Sequence, residues 1–312
     1  AMKSFKLKPR AATVCTFDGL SGQTAVAYGF DGALQFWDPG TRIKLLSIEK
    51  EELGMDLVDH VSQLTPSLVV ALAGGSTTKG QYENRGSIAL LSKKRHAKQD
   101  ILSFGPPAHC TDSPHTGDIS VVEGMPDCRG INNSTALMLS GGESDRSVYM
   151  WKIGLSDRGA VAGVQHAQKM NTHHTTRISA LCYVPLREYT ISGADGIGRI
   201  NVNDTETGQL VVDNDHNECG GGIGSISICP TDGNLAMVCC TAKGKQIQIF
   251  DLRQSLSTIK PALFLGKGEG FRNSRYIRPA WHPDGRLVFC PLNEDKAKAS
   301  DNGTVFIWDT RY

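Results

Sequence analysis

The residues with the clearest chemical potential lie in the stretch "PPAHCTDSPH", where His109, Cys110 and His115 fall close together. Imidazole and thiolate groups are the usual protein ligands of zinc, so this stretch could supply part of a metal site. A complete site would need further ligands, and the sequence contains no C-x-x-C pair that could provide them. We therefore predict that no metal is bound.

Two other motifs that could bind or transform a small molecule are also incomplete. The stretch "ECGGGIGSISI" has the glycines of a phosphate-binding loop, but it runs into a strand-like segment and no Gly-Lys-Ser/Thr follows. No Gly-x-Ser-x-Gly motif marks a nucleophilic serine. We predict that the protein is not an enzyme and that it uses no cofactor and no small-molecule substrate.

Charge and cysteine usage narrow the possible partners. The 33 Lys and Arg nearly balance the 32 Asp and Glu, so no overall basic field favours nucleic acid, and the run "SKKRHAK" is interpreted as a solvated turn. No stretch approaches the roughly 20 apolar residues of a membrane span. Most of the nine cysteines lie in apolar runs such as "AMVCCT", which is typical of reduced, buried thiols in a cytoplasmic or nuclear protein.

The elements that must position these residues are predicted to be strands. Short alternating or apolar runs recur along the chain, and almost no segment has the period of an amphipathic helix. The runs also repeat, as in "TALMLSGGESDRSVYMWKIG" and "YTISGADGIGRINVNDTETG", where a small-residue strand, a polar turn and a second strand follow one another. A further strand precedes, as in "SISICPTDGN" and "RPAWHPDGR", where Asp-Gly predicts a tight turn with positive φ.

These repeats resemble the WD40 family, whose repeats of about 40 to 45 residues end near Trp-Asp. Three turn residues each lie six positions before a tryptophan: Asp31 before Trp37, Asp145 before Trp151, and Asn302 before Trp308. The family's structural histidine is matched by His115 and His174. The resemblance implies hydrogen bonds from His115 to Asp145, supporting Trp151, and from His174 to Asp195.

Two repeats depart from the family pattern. The fourth has Asn203 where tryptophan is expected, with two extra residues in its turn, and the fifth has Phe250 and no turn aspartate. We expect packing, more than the histidine relay, to hold these two repeats together.

The resemblance implies an all-β fold, a single WD40-type β-propeller that fills residues 1–312. Six four-stranded blades can be counted, although seven is the commoner number in the family. Residues 3–9, in "KSFKLKPR", alternate in polarity and are predicted to be a latch strand that completes the last blade and closes the ring. The approximate blade bounds are 11–50, 57–104, 117–167, 175–215, 223–266 and 275–312.

The long loops point to a binding face. In WD40 topology the loops that lead into the blades share one face, called the top, and most extended loops of this chain map there. We predict a non-catalytic scaffold that binds a partner protein or peptide on this face as a subunit of a larger complex. The alternative is that the loops are neutral insertions. The candidate interface residues are Tyr82, Arg85, His173, Arg177, Phe271, Arg272, Arg275, Tyr276 and Arg278.

A second hypothesis comes from "IFDLR" at 249–253 and "IWDTR" at 307–311. Both look like the W-D-x-R element of WD40 substrate receptors of cullin-RING ubiquitin ligases. The residues that would contact the adaptor are Asp251, Arg253, Asp309 and Arg311. The competing interpretation is that the two arginines pair with a neighbouring blade.

Overall fold

The computed structural model consists of β-strands and one four-residue helix in the part of the chain that it describes. For residues 13–30 only the backbone is described. The described residues are 13–20, 23–30, 33–38, 40–41, 43–55, 58–65, 69–75, 86–94, 102–110, 113–125, 134–196, 198–214, 221–242, 245–254, 260–266, 277–292 and 304–311.

The described strands form six sheets, five with four strands and one with three, and strands that are consecutive in the chain neighbour each other in every sheet. The chain divides into two compact units, and each is described by itself. The first unit comprises Ala1–Asp145 and Tyr149–Gln168, and the second comprises Arg146–Val148 and Lys169–Tyr312.

Sheets 1, 2 and 3 belong mainly to the first unit. Sheet 1 contains β1 (Thr13–Leu20), β2 (Gln23–Phe30), β3 (Ala33–Asp38) and β4 (Ile43–Ile48), followed by α1 (Lys50–Leu53). Sheet 2 contains β5 (His60–Thr65), β6 (Val69–Gly75), β7 (Gly86–Ser92) and β8 (Ala108–His109). Sheet 3 contains β9 (Ile119–Met125), β10 (Thr135–Gly142), β11 (Val148–Leu155) and β12 (Val161–Lys169).

Sheets 4, 5 and 6 lie in the second unit. Sheet 4 contains β13 (Ile178–Val184), β14 (Tyr189–Ala194), β15 (Ile200–Asp204) and β16 (Leu210–Asn214). Sheet 5 contains β17 (Ile223–Ile228), β18 (Leu235–Cys240), β19 (Ile247–Asp251) and β20 (Pro261–Leu265). Sheet 6 contains β21 (Ala280–Trp281), β22 (Leu287–Leu292) and β23 (Thr304–Asp309).

Burial explains why the second strand of a sheet reads as a continuous apolar run. In β18, "LAMVCC", every residue after Leu235 is buried, because both faces of the strand are covered. The outer strand β4, "IKLLSI", begins instead with three exposed residues. Buried apolar strands and partly exposed strands follow one another along the chain, which explains the repeated pattern of apolar and polar segments in the sequence.

The apolar cores lie between consecutive sheets within each unit. In the first unit Phe36 of sheet 1 stacks on Phe104, which lies between β7 and β8 of sheet 2, with ring centroids 4.9 Å apart. Trp151 fills the core between sheets 2 and 3. In the second unit Val202 and Phe250 belong to the core shared by sheets 4 and 5. Each sheet is therefore stabilised mainly by its neighbours in sequence.

The predicted all-β fold is confirmed. The latch strand at residues 3–9 lies outside the described residues, so the latch and the single-domain organisation stay predictions. The predicted positive φ of the Asp-Gly turns is found at Gly285, with a φ of 71°, but Gly233 has no positive φ. No helix among the described residues is long and apolar enough to cross a membrane.

Candidate functional site

The loop that leads into sheet 3 carries a buried histidine that links two strands. His115 Nδ1 lies 2.8 Å from Asp145 Oδ2, and its Nε2 lies 2.7 Å from Ser140 Oγ. Trp151 Nε1 donates to the same hydroxyl oxygen at 2.7 Å. One assignment of protons satisfies every group: Nδ1–H donates to Asp145, and the Ser140 hydroxyl donates to Nε2 while it accepts from Trp151.

The structure therefore brings His115, Asp145 and Trp151 together, as the family resemblance implies. The sequence analysis did not identify Ser140, whose hydroxyl oxygen is hydrogen-bonded to both His115 and Trp151. A usable signal existed, because Ser140 precedes Trp151 by eleven residues and Ser192 stands at the same distance before Asn203.

Gly142 makes room for the carboxylate in this cluster. A Cβ atom on Gly142 would lie 1.7 Å from Asp145 Oδ1 and 2.7 Å from His115 Nδ1, both far inside van der Waals contact. Only glycine is compatible with the aspartate in this position.

Ser140→Ala is expected to lower the free energy of unfolding by about 1–3 kcal/mol, because it leaves two buried nitrogens without a partner. The matched variant Ser192→Ala removes one side-chain hydrogen bond, between Ser192 and His174, and should cost less. Urea denaturation of both variants measures the difference. Equal losses would show that the Trp151 bond contributes nothing.

The corresponding histidine of sheet 4 has a different environment. His174 Nε2 lies 2.8 Å from Ser192 Oγ, but Nδ1 has no hydrogen-bond partner among the described residues. The hydrogen bond expected from His174 to Asp195 is therefore not formed. Burial and, next, the positive charge of Arg199 lower the pKa of His174 to about 4, so the ring is neutral at pH 7.

Backbone register explains this correction. The N–H of Asp195 donates to the carbonyl of Arg177 at 3.0 Å, just as the N–H of Glu143 donates to the carbonyl of Asp118 at 2.7 Å. Asp195 is thus the counterpart of Glu143, two positions before the relay aspartate. By the same register the counterpart of Asp145 in the sequence is Ile197.

The residue opposite Gly142 in this register is Ala194, which pairs with Ile178 as Gly142 pairs with Ile119. A β-carbon at this position occupies the space that the carboxylate takes in sheet 3. Sheet 4 therefore lacks both the acid and the room for it.

Sheet 4 is held by polar contacts outside the histidine relay as well as by its apolar core. The expectation that packing outweighs the relay there stays a prediction. Asn203, fully buried in the position of tryptophan, donates through Nδ2 to the carbonyls of Asn171 at 2.6 Å and of Gly208 at 3.1 Å. Asn171 precedes β13, in a segment of residues 170–177 that we call the leading loop of sheet 4. The asparagine thus fixes the leading loop where a tryptophan would have packed.

A second group of contacts fixes the same loop at His173, one of the predicted interface residues. Its N–H donates to Asn201 Oδ1 at 2.9 Å, its carbonyl accepts from the Arg199 guanidinium, and its Nδ1 lies 2.7 Å from Asp213 Oδ2. Burial opposes ionisation of Asp213, but hydrogen bonds from His173 and Asn201, with the charge of Arg199, hold its pKa below the usual value. The His173 ring remains 60% exposed.

The other predicted interface residues are only partly described. Arg177 is half-buried in the leading loop of sheet 4, and Arg278 is exposed just before β21. Trp37 and Trp308 of the predicted relay are half-buried, and Trp308 stacks on Phe306 with centroids 5.8 Å apart. The remaining predicted residues, which lie outside the described part of the chain, are Asp31, Tyr82, Arg85, Phe271, Arg272, Arg275 and Tyr276.

The two Asp-x-Arg elements form the same turn at the end of a third strand. Arg253 donates through Nε and Nη2 to the two carboxylate oxygens of Asp251, both at 2.8 Å, and Arg311 forks on Asp309 in the same way. The hydrogen bond from Arg311 is the main reason why the pKa of Asp309 falls to about 2. Arg253 also lies 3.6 Å from Asp232 of its own sheet. The ion pairs of Arg253 among the described residues are therefore within sheet 5, and the competing interpretation, a pair with a neighbouring blade, is not observed for it.

The described residues contain no group of three or more His, Cys, Asp or Glu side chains arranged to hold a metal ion. In the stretch that first suggested one, His115 is bound to Asp145 and Ser140, and burial raises the pKa of the Cys110 thiol to about 12. The six cysteines whose state is described are all buried, and they form no disulfide.

Comparisons with known proteins agree with this architecture. Residues 277–309, which include sheet 6, match the WD40 family, described as WD domain, G-beta repeat. A search of the curated proteins finds none that matches the chain.

Solved structures match almost the whole chain. The Cps50 (Swd1) β-propeller domain of Myceliophteria thermophila is 12% identical with a TM-score of 0.63, covering 97% of this chain and 84% of that one. A chain of a mitotic checkpoint complex is 16% identical with a TM-score of 0.60, covering 96% and 74%. A chain of a COPII outer coat vertex on membranes is 13% identical with a TM-score of 0.62, covering 96% and 73%.

These matches confirm the resemblance on which the fold prediction rested. The sheets, their order and the neighbours identify the fold of the chain as that of β-propeller domains, with a WD40 repeat at residues 277–309.

Proposed function

We propose that this protein is a non-catalytic scaffold that binds a partner protein or peptide through the loops leading into its sheets, as a subunit of a larger complex. The observation that carries the proposal is the leading loop of sheet 4. Its backbone is fixed by Asn201, Asn203 and Arg199, while Asn171, His173 and Thr175 point alternate side chains to solvent. A loop that is already ordered loses little entropy when it binds a partner.

The chemistry of the described side chains also supports a scaffold rather than an enzyme. Two buried histidines that could act as bases are engaged in structural hydrogen bonds, His115 with Asp145 and His174 with Ser192. Loops on a rigid β-scaffold are a common place for binding residues. Two of the similar structures come from a mitotic checkpoint complex and a COPII coat, which supports a role within an assembly.

The six described cysteines are buried and form no disulfide, which supports the further proposal that the protein works in the cytoplasm or nucleus. No observation favours the alternative of a ubiquitin-ligase receptor. In both Asp-x-Arg turns the guanidinium is already engaged by the aspartate of its own turn.

The test is affinity purification followed by calorimetry with the partner that is found. Phe271→Ala and Tyr276→Ala should each weaken binding by about 1–3 kcal/mol, as expected for aromatic interface anchors, and Arg275→Ala should cause a smaller, salt-dependent loss. Thr175→Arg places a large charge on the leading loop of sheet 4 and should also weaken binding. Thermal melts of each variant should be unchanged.

The matched control is Leu186→Ser. Leu186 is 66% exposed in the turn between β13 and β14, at the opposite end of sheet 4 from the leading loop. This variant should bind normally. If it abolishes binding while the loop variants bind like wild type, the functional surface is at the turn end and the proposal is wrong.

A further inference from the structure

The leading loops of sheets 3 and 4 hold equivalent buried histidines that differ at one atom. His115 and His174 each bond a serine of the second strand through Nε2. His115 Nδ1 faces the Asp145 carboxylate at 2.8 Å, whereas His174 Nδ1 has no partner among the described residues. Both ring nitrogens of His115 therefore face an oxygen that can accept a proton, whereas a proton on His174 Nδ1 has no acceptor among the described residues.

The charged groups around His174 do not supply a substitute. Arg199, which precedes β15, and His173 in the loop itself both disfavour a positive charge on the His174 ring. Among the described residues, Asp213 on β16 is the one attractive charge acting on His174, and its two oxygens already bind His173 and Asn201. A protonated His174 would thus be a buried cation with an unused donor, which the closed loop cannot accommodate.

We propose that the leading loop of sheet 4 is an acid-sensitive catch, in which protonation of His174 releases residues 170–177 from the sheet while the leading loop of sheet 3 stays in place. In the released loop the ring is in contact with water, where its protonated form is stable, so acid shifts the population toward the released state. The proposed acid response does not depend on the identity of any partner. It depends on His174 Nδ1, which has no acceptor among the described residues.

The sign of the effect follows from linkage. The closed loop lowers the pKa of His174 from the ordinary 6.5 to about 4, so the open loop binds more protons between these values. The stability of the closed loop is fully present above pH 6.5 and is lost as the pH falls toward 4. At pH 5 the open population should be roughly 30-fold larger than at pH 7.5, from the two pKa values.

Hydrogen exchange of the full chain at pH 5.0 and 7.5, expressed as protection factors, tests the proposal. The reporter is the amide of His173, which donates to Asn201, and the reference is the amide of Glu143, which donates to Asp118 in sheet 3. Protection of the His173 amide should fall about 30-fold at pH 5.0, with no comparable change for Glu143. Equal protection at both pH values would overturn the proposal.

Two variants assign the effect. His174→Gln cannot be protonated and should remove the pH dependence. His173→Gln, which removes the exposed imidazole instead, should keep it. If the loss of protection survives in His174→Gln and disappears in His173→Gln, the exposed histidine is the sensor and the proposal is wrong.

Discussion

Trp151→Ala is expected to lower the free energy of unfolding by about 3–5 kcal/mol. Trp151 is 2% exposed and lies in the core between sheets 2 and 3, so truncation leaves a large cavity lined by apolar side chains. The truncation also removes the hydrogen bond of 2.7 Å that Trp151 Nε1 donates to Ser140 Oγ. Guanidinium denaturation, followed by far-ultraviolet circular dichroism, measures the loss.

The sequence alone suggested the same cost for Trp37, but the structure separates the tryptophans. Trp37 and Trp308 are half-buried, so Trp37→Ala and Trp308→Ala should each cost less than Trp151→Ala. They serve as matched controls for the loss of an indole. An unchanged denaturation midpoint for Trp151→Ala would mean that the sheet 3 register described above is wrong.

Gly124→Ala is expected to cost about 3 kcal/mol, near the upper end of the range for overpacked sites. A Cβ on Gly124 would lie 1.9 Å from the carbonyl oxygen of Gln63 and 3.1 Å from the Cα of Leu64. Both are backbone atoms of β5, so no side chain can rotate away. Sheets 2 and 3 would have to separate, and the bond from the Gly124 N–H to Ser62 Oγ would lengthen from 2.9 Å.

Gly105→Ala is the control for a glycine without close neighbours. The nearest atom to its added Cβ would be the carbonyl oxygen of Ser92 at 3.8 Å, an ordinary contact. Its stability should stay within about 0.5 kcal/mol of wild type. Thermal denaturation of the two variants side by side makes the comparison, and equal behaviour would refute the tight contact between sheets 2 and 3.

The parts of the molecule that the sequence predicted well depend on local periodicity. The apolar composition of strands such as β18 is enough to predict them. The spacing of six residues predicted Asp145 in a turn and Trp151 in the strand that follows it. Asp195 is the only acidic residue in the turn before Asn203, which is why the resemblance pointed to it. Ser140 and Ser192 each lie five residues before the relay position, which makes Ile197 the counterpart of Asp145 in the sequence.

Other features could not have been predicted from spacing. Asn201 and Asn203 bond to His173 and Asn171, which lie 28 and 32 residues earlier. Such bonds depend on how a loop crosses a sheet. Asparagine is also common in polar turns, so its presence in the sequence does not indicate these partners. The same holds for the fork of Arg253 on Asp251, since an arginine two residues after an aspartate can equally point to solvent.

The second strands, which are buried on both faces in the folded protein, also affect aggregation when the protein unfolds. β6 reads "VVALAGG" and β18 reads "LAMVCC", and both are uncharged segments of high strand propensity. Once a sheet unravels, such segments can pair with copies from other chains into cross-β aggregates faster than they refold. Destabilised variants should therefore be lost from solution, and the yield of soluble protein becomes a measure of kinetic stability.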